Sequence, residues 1–150
     1  MYKKIVVPLD GSPAAECVIE HVKAVAARGS EVIFVETAVT PHLDFVVPEP
    51  ELAACLDPEV AEEARGYLAR IARRIKAPGV KVSTCVLPDR GPVPALIAAF
   101  ARRAGADLVV ISAHGRSGLL GRLMGSTAEK IIHGAGVPVL VVHPSAKKPR

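Results

Sequence analysis

The sequence predicts one α/β domain in which helices cover both faces of a parallel sheet. Five short runs rich in valine, isoleucine and leucine recur along the 150 residues. The first, fourth and fifth runs are almost continuously apolar, which is typical of strands buried on both faces. Segments with helical periodicity separate the runs, and this alternation of strand and helix indicates a layered α/β architecture.

Each apolar run is predicted to form a strand. Because connections between parallel strands are almost always right-handed, successive helices should pack on both sides of the sheet. A chain of this length is typical of one domain and can bury a core without disulfides. The predicted strands are IVVPL at 5–9, VIFV at 32–35, VKVSTCVL at 80–87, DLVVIS at 107–112 and VPVLVV at 137–142.

The first two predicted helices each begin with a capping residue that is followed by proline. Ser12 is a good N-cap, with Pro13 at the first helical position. Gly29 is the expected C-terminal stop of that helix. Asp and Pro at 57–58 repeat the pairing at the start of the second helix, which Pro and Gly at 78–79 end. The sequence therefore predicts helices between the first three strands.

The other two predicted helices flank the fourth strand. The third runs from about 94 to 104 and is followed by Gly105. The fourth begins near Ser126 and ends at Gly134. Ser126 and Glu129 have the spacing of a capping box, which predicts a helix N-terminus at Ser126.

Two connections interrupt the alternation of strands and helices. Residues 38–56 are rich in proline and acidic side chains, and we expect a mobile flap or a short extra helix there. Residues 113–125, AHGRSGLLGRLMG, form a glycine-rich loop that leads directly into the fourth helix. The domain is predicted to cover 1–144, and 145–150 is a basic tail.

Composition excludes several classes of protein. The chain is 3% aromatic, which argues against single-stranded nucleic-acid binding because that needs stacking platforms. Much of the net charge of +4 lies in the tail 145–150, so nucleic acid is not the expected partner. No apolar run approaches the roughly 18 residues that span a membrane. With no signal-peptide pattern at the start, we expect a cytoplasmic protein.

The three cysteines are odd in number and widely separated along the chain. Cys17, Cys55 and Cys85 form no CxxC pair, so neither a zinc site nor a redox couple is predicted. Each has apolar neighbours. We therefore expect buried free thiols in a reducing compartment rather than reactive ones.

Polar residues that follow the strands mark the expected ligand site. Open parallel sheets bind ligands beyond the carboxyl ends of their strands, where the winding reverses. Asp10 follows the first strand, Thr37 the second, and Ser112 to Gly115 the fourth. These residues would converge if strands one, two and four are neighbours.

The glycine-rich loop has the composition of a phosphate-binding loop. Helix N-termini present free N–H groups and a positive dipole, and glycine lets the backbone approach an anion. Arg116 and Arg122 add charge, while Ser126 and Thr127 add hydroxyl groups. The loop has neither the Walker A pattern nor the GxGxxG dinucleotide pattern, which disfavours ordinary NTPases and dehydrogenases. A flexible loop before a capped helix is the alternative interpretation.

Two side chains near this loop have more than one interpretation. Asp10 either caps the first helix together with Ser12, or accepts hydrogen bonds from a ribose or helps to hold a divalent metal. His114 is either an acid or base or a turn histidine packed under the loop. No catalytic residue and no dedicated metal site is assigned from the sequence.

Three segments of the chain together resemble the universal stress protein family. They are YKKIVVPLDGSPAAE at the start, ADLVVISAHGRSGLLGRLMGSTAEKII, and VPVLVV near the end. They agree in order and spacing over nearly the whole chain, and the match is weakest over 38–56. The resemblance implies an open five-stranded parallel sheet of strand order 3-2-1-4-5, a Rossmann-like fold that binds adenine nucleotides.

The nucleotide-binding motif of that family is present with one departure. The motif is Gly, two residues, Gly, nine residues, then Gly-Ser or Gly-Thr. Gly115, Gly125 and Ser126 match it, but the first position falls on Ser112. A serine at that position either limits the approach of the nucleotide or donates a hydrogen bond to it.

The resemblance implies ATP as the ligand, alone or with Mg²⁺ or Mn²⁺. The residues that would hold it come from both ends of the chain. They are Pro8, Leu9 and Thr37 around the base, Asp10 on the ribose or phosphate side, Ser112, His114, Gly115, Arg116 and Ser117 along the ribose and phosphates, and Gly125, Ser126 and Thr127 at the phosphates.

The resemblance also implies a homodimer, and the last strand supports it. In the implied order this strand is a sheet edge, and a long, uncharged apolar edge invites pairing. Pro138 is tolerated there because an edge has one unpaired side. Two such edges paired around a twofold axis would cover each other. The predicted interface consists of Val137, Val139, Leu140, Val141 and Val142.

Three functions remain open at this point. The first is an ATP-binding stress or regulatory protein with at most slow hydrolysis, acting on an unknown protein partner. The second is a metal-dependent nucleotide hydrolase or phosphotransferase that uses Asp10. The third is a nucleotide-free dimeric interaction protein in which Ser112 fills the pocket.

Overall fold

Five strands form one parallel sheet in the computed structural model, which describes residues 1–38, 58–88, 91–115 and 124–144. The strands are β1 (Tyr2–Leu9), β2 (Ala26–Ala38), β3 (Lys81–Pro88), β4 (Leu108–Ser112) and β5 (Val139–Val142). Their order across the sheet is β3-β2-β1-β4-β5. All four neighbouring pairs are parallel, so the predicted fold class and the implied strand order are confirmed.

Four α-helices lie between the strands in the ranges that the structure describes. They are α1 (Val18–Val25), α2 (Pro58–Ala72), α3 (Val93–Ala104) and α4 (Ser126–Gly134). A short 3₁₀ helix, Ala15–Cys17, precedes α1. None of the helices in the described ranges is long and apolar enough to cross a bilayer.

Side chains that alternate along β1 reach two separate hydrophobic clusters, one on each face of the sheet. Ile5 and Val7 pack with α1 and α2 on one face. Val6 packs with α3 and α4 on the other face. All three side chains are fully buried. The central strand is therefore covered on both sides, which explains its continuous apolar sequence.

The end of the first helix differs from the prediction. We expected a helix from Ser12 to Gly29, but α1 begins only at Val18, with Cys17 rather than Ser12 as its N-cap. It ends at Val25, and Ala26 is already extended. Gly29 lies inside β2 with a φ of 91°, and its N–H donates to the carbonyl of Gly79. Gly29 thus has the left-handed conformation predicted for a helix C-cap, but it lies where the register between β1 and β2 shifts.

The later helices follow the sequence signals more closely. Gly105 ends α3 in the left-handed conformation, with a φ of 66°. The bounds of α4 are those predicted. The flap or extra helix expected over 38–56 lies outside the described residues except for Ala38, as does the tail 145–150.

A carboxylate before β4 fastens the start of β1 to its neighbour. Asp107 accepts the N–H of Lys3 at 2.8 Å and the N–H of Lys4 at 2.9 Å, one on each oxygen. Partial burial by itself raises the pKa of Asp107, but these hydrogen bonds outweigh it and lower the pKa below its usual value. The contact holds the two strands that frame the cavity described below.

Replacing Asp107 with asparagine should destabilise the fold, because an amide can accept only one of the two N–H groups. We expect a loss of about 1 kcal/mol at neutral pH. Because the folded-state pKa is lowered, the stabilisation is present above about pH 4 and is lost as pH falls further. Urea unfolding at several pH values should show the difference between the two proteins shrinking below about pH 4. A difference that stays constant down to about pH 2 would contradict this account.

Candidate functional site

A cavity of about 330 Å³ opens at the carboxyl ends of β1 and β4. These strands are neighbours at the centre of the sheet, and the helices that follow them pack on opposite faces. This is the point where open α/β sheets bind ligands. Ten of the predicted site residues line the cavity: Pro8, Leu9, Asp10, Thr37, Ser112, His114, Gly115, Gly125, Ser126 and Thr127. The other two, Arg116 and Ser117, lie outside the described residues, as does Arg122.

Asp10 lies in the cavity and forms a turn with Ser12, but neither residue is the foreseen cap of the first helix, since α1 has Cys17 at its N-cap and no side chain caps it. Its Oδ1 accepts the N–H of Ser12 at 3.0 Å and the hydroxyl of Ser12 at 2.6 Å. The Ser12 Oγ in turn accepts the N–H of Ala15 at 3.2 Å. These bonds hold the carboxylate in one orientation at the end of β1, where it lines the cavity.

Gly115 lies so close to Asp10 that a larger residue would not fit without movement. A Cβ at position 115 would be 2.5 Å from Oδ2 of Asp10. The glycine is therefore required by close approach rather than by a turn, since its φ is not positive. The second motif position thus brings the backbone after β4 against the carboxylate after β1.

The hydroxyl of Ser112 forms its hydrogen bonds within the protein. Its Oγ donates to the carbonyl of Ala14 at 3.1 Å and accepts the N–H of His114 at 3.3 Å. The thiol of Cys17 lies 3.5 Å from the same oxygen. Because this hydroxyl donates its hydrogen bond to the carbonyl of Ala14, it connects the loop after β1 to the end of β4.

The start of α4 is built differently from the predicted capping box. Gly125 is the N-cap, no side chain caps the helix, and Ser126 is the first helical residue. The N–H of Gly125 donates to the carbonyl of Ala113 at 2.8 Å, and the carbonyl of Gly125 accepts the N–H of Glu129. The first N–H groups of a helix have no partner within it, and two of the residues that carry them here, Ser126 and Thr127, line the cavity.

A glycine at the cap position also lets the start of α4 approach the backbone after β4 closely. A Cβ at position 125 would lie 3.3 Å from the carbonyl oxygen of Ala113, which is a tight contact. Gly115 and Gly125 are therefore both places where added atoms would meet fixed groups around the cavity. The site fits a ligand that needs close backbone approach, as phosphate does.

His114 is half-buried beside the cavity, and its ring contacts another histidine. The centroids of His114 and His143 are 6.1 Å apart, with an interplanar angle of 71°. The sequence interpretation of His114 as a packed turn histidine is compatible with this contact. His143 was not foreseen, because no sequence signal places the end of β5 beside the loop after β4.

Several lining residues were missed by the sequence analysis. The cavity floor is apolar and comes from the helices on one face and from β4: Val93, Ile97, Ile111, Ala128 and Ile131. Helical spacing could have identified Ile97 and Ile131 as inward-facing, but not as part of a ligand site. Glu36, at the end of β2, is buried and also lines the cavity.

Two further polar groups near the site are notable. Within the described part of the chain, the Oγ1 of Thr37 is buried and makes no hydrogen bond. Burial raises the pKa of the Cys17 thiol despite its hydrogen bond to Ser112.

Cys17 and Cys85 are free and half-buried, whereas Cys55 lies outside the described residues. No group of three His, Cys, Asp or Glu side chains among the described residues is placed to hold a metal ion.

Comparison with known sequences gives a consistent family. The sequence profile of the Universal stress protein family matches residues 1–143. A universal stress protein of Methanocaldococcus jannaschii is 32% identical over 151 residues, covering 100% of this chain and 85% of that protein. A universal stress protein of Mycobacterium tuberculosis is 36% identical over 148 residues, which are 94% of this chain and 45% of that protein. The chain thus spans less than half the length of its mycobacterial relatives.

Solved structures show the same fold. A Methanocaldococcus jannaschii protein whose biochemical function was assigned from its structure has a TM-score of 0.76 and 29% identity, covering 98% of this chain and 99% of that chain. A universal stress protein in complex with cAMP has a TM-score of 0.58 and 23% identity, with coverages of 96% and 98%. An Archaeoglobus fulgidus universal stress protein in complex with dAMP has a TM-score of 0.57 and 24% identity, with coverages of 93% and 97%.

Replacing Gly115 with alanine should destabilise the fold by about 1 kcal/mol, because the new methyl group displaces an anchored carboxylate. The cost should disappear when Asp10 is also replaced by alanine, since the clashing atom is then absent. Urea unfolding of the four proteins in this double-mutant cycle measures the coupling.

Gly66→Ala is the matched control for that cycle. Gly66 lies in α2, and a Cβ there would meet nothing within 4 Å. Alanine should therefore stabilise the helix by about 0.5–1 kcal/mol. If Gly115→Ala costs the same whether or not Asp10 is present, the contact does not constrain the site.

Proposed function

Because the chain belongs to the universal stress protein family, we propose that its cavity binds ATP and that occupancy regulates the protein, with at most slow hydrolysis. The observation that supports this most is that ten of the predicted site residues lie around one cavity. They come from three strand ends and one helix start. Universal stress proteins of the same fold have been solved in complex with cAMP and with dAMP. An adenine nucleotide is thus the ligand class that the family and the cavity favour together.

In the proposed binding mode the nucleotide lies across the centre of the sheet. Its base would lie by Pro8, Leu9 and Thr37, where apolar surface meets a buried hydroxyl that has no hydrogen bond within the described chain. Its ribose would face the anchored carboxylate of Asp10. Its phosphates would lie at the N–H groups that begin α4.

The departure of Ser112 from the family motif is compatible with this mode. The hydroxyl donates to Ala14 rather than toward a ligand, so the side chain is held by the protein. A cavity of about 330 Å³ remains beside it, which is within the range of small-molecule sites. This geometry favours the nucleotide-binding alternative over the one in which Ser112 fills the pocket.

A divalent cation would enter this site with the nucleotide. Mg²⁺ and Mn²⁺ prefer oxygen ligands, and phosphate groups supply most of them in nucleotide sites. The carboxyl group of Asp10 lines the cavity on the proposed ribose and phosphate side. When bound, such a cation would neutralise phosphate charge.

We also propose that two copies of the chain pair through β5. The strand lies at the sheet edge, and Val139, Leu140 and Val141 are only partly buried. Pairing two edges would cover these side chains and their unpaired backbone groups. We place the domain at 1–144 with a basic tail at 145–150. A cytoplasmic setting would keep the thiols of Cys17 and Cys85 reduced.

Replacing Gly125 with valine should weaken ATP binding at least about tenfold while preserving the fold. The backbone at Gly125 has φ −63° and ψ 146°, which valine adopts readily. Its side chain would crowd Ala113 and the start of α4. ATP at about 100 times its Kd should stabilise the unaltered protein by about 2.7 kcal/mol, which raises Tm by several degrees.

Gly66→Val is the matched control for this experiment, because it adds the same atoms to open space on α2. That variant should keep the full Tm increase with ATP. Native mass spectrometry of the purified protein would reveal co-purified nucleotide directly. Undiminished ATP affinity in Gly125→Val would show that the phosphates bind elsewhere.

Replacing Leu140 with lysine should convert the proposed dimer into monomers, because a buried edge cannot accept an unpaired charge. Thr84→Lys is the control, since Thr84 is exposed on β3 at the opposite sheet edge. Light scattering measures the molar mass of both variants. A dimer that survives Leu140→Lys would exclude this interface.

A further inference from the structure

Two histidines from neighbouring strand ends meet beside the cavity. His114 follows β4, is half-buried and lines the cavity. His143 follows β5 and is exposed. The rings are in an edge-to-face arrangement, with centroids 6.1 Å apart. A residue outside the family motif therefore contacts one that belongs to the proposed site.

The backbone around this pair is fixed by hydrogen bonds. Ser112 and Val142 are register partners at the ends of β4 and β5. Just beyond them, the N–H of Ala113 donates to the carbonyl of Val142 at 2.8 Å. The N–H of His114 donates to Ser112 Oγ at 3.3 Å. Both rings thus extend from anchored backbone, and their contact follows from strand register.

The other titratable groups near the pair are two carboxyls and a thiol. Asp10 and Glu36 line the same cavity, and the Cys17 thiol lies on the other side of Ser112. Among the described lining residues there is no lysine or arginine, so His114 is the one side chain there that can become positive. Histidine is also the side chain that ordinarily changes charge between about pH 5 and 8.

Resting on the proposed function, in which His114 lies along the phosphates of the nucleotide, we infer that His143 is the positioning residue of His114. An imidazolium forms charge-assisted hydrogen bonds to phosphate, which are stronger than neutral ones. The ring of His143 limits the orientations of His114, so less freedom is lost when a ligand binds. Nucleotide affinity should therefore rise as pH falls, and this rise should depend on His143.

The test measures Kd for ATP with Mg²⁺ by calorimetry at about pH 6 and about pH 8, where histidine charge differs. We expect His143→Ala to weaken binding about fivefold at the lower pH and to reduce the difference between the two pH values. His143→Phe should restore most of the affinity, because a phenyl ring can make the same edge-to-face contact.

A double-mutant cycle separates this role from a general structural one. In a His114→Asn background, His143→Ala should have no further effect, because the residue it positions is absent. His133→Ala is the matched control: His133 is exposed in the last turn of α4 and should leave affinity and pH dependence unchanged. Light scattering on each variant shows whether association between copies has changed.

Several results would overturn the inference. One is a His143→Ala variant with unchanged Kd at both pH values, and another is an equal effect of His143→Ala with and without His114. The unaltered chain failing to bind ATP at either pH would instead overturn the proposed function. NMR spectroscopy of the ligand-free protein tests the contact itself: His143→Ala should shift the ring resonances of His114, and unchanged resonances exclude contact between the rings.

Discussion

The hydrogen bond from Gly125 to Ala113 is the constraint on which the candidate site depends. The distance from the nitrogen of Gly125 to the carbonyl oxygen of Ala113 is 2.8 Å. The bond joins the start of α4 to the residue that directly follows β4, across the loop between them. The same residue pair is close, since a Cβ at position 125 would lie 3.3 Å from the carbonyl oxygen of Ala113. The helix N-terminus is therefore held beside the end of β4, where its first residues, Ser126 and Thr127, line the cavity.

That junction belongs to a wider set of contacts among the strand ends. Ala113 also donates to Val142, so α4, β4 and β5 meet at one residue. On the other side, Ser112 donates to Ala14 and connects β4 to the loop after β1. The dipeptide of Ser112 and Ala113, at the end of β4, thus links the start of α4, the edge strand β5 and the loop after β1. Changes in this dipeptide would disturb all three together.

The sequence predicted the sheet and most of the cavity because these depend on local signals. Buried runs marked all five strands, and residues at strand ends converge in any parallel sheet. The errors have physical causes. Gly29 was assigned to a helix end because positive φ serves both caps and bulges, and sequence does not distinguish them. No capping box forms at Ser126 because Gly125 is the N-cap, and its N–H donates to the carbonyl of Ala113 directly after β4.

Contacts between elements that are distant in sequence were beyond prediction. Helix periodicity gave inward faces for Ile97 and Ile131 but not the cavity that they floor. His143 gave no signal, since its proximity to His114 depends on the register of β4 and β5. The resemblance added the strand order, which composition and spacing alone leave open.

The bonds between Asp10 and Ser12 have a consequence for the thermodynamics of recognition. A surface carboxylate usually samples several rotamers, and a ligand that uses it must select one of them. Here the Ser12 N–H and hydroxyl have already selected the rotamer, with Oδ2 left against Gly115. The entropy of ordering this group is lost when the chain folds, not when the ligand arrives, so the site is pre-organised at its most polar point.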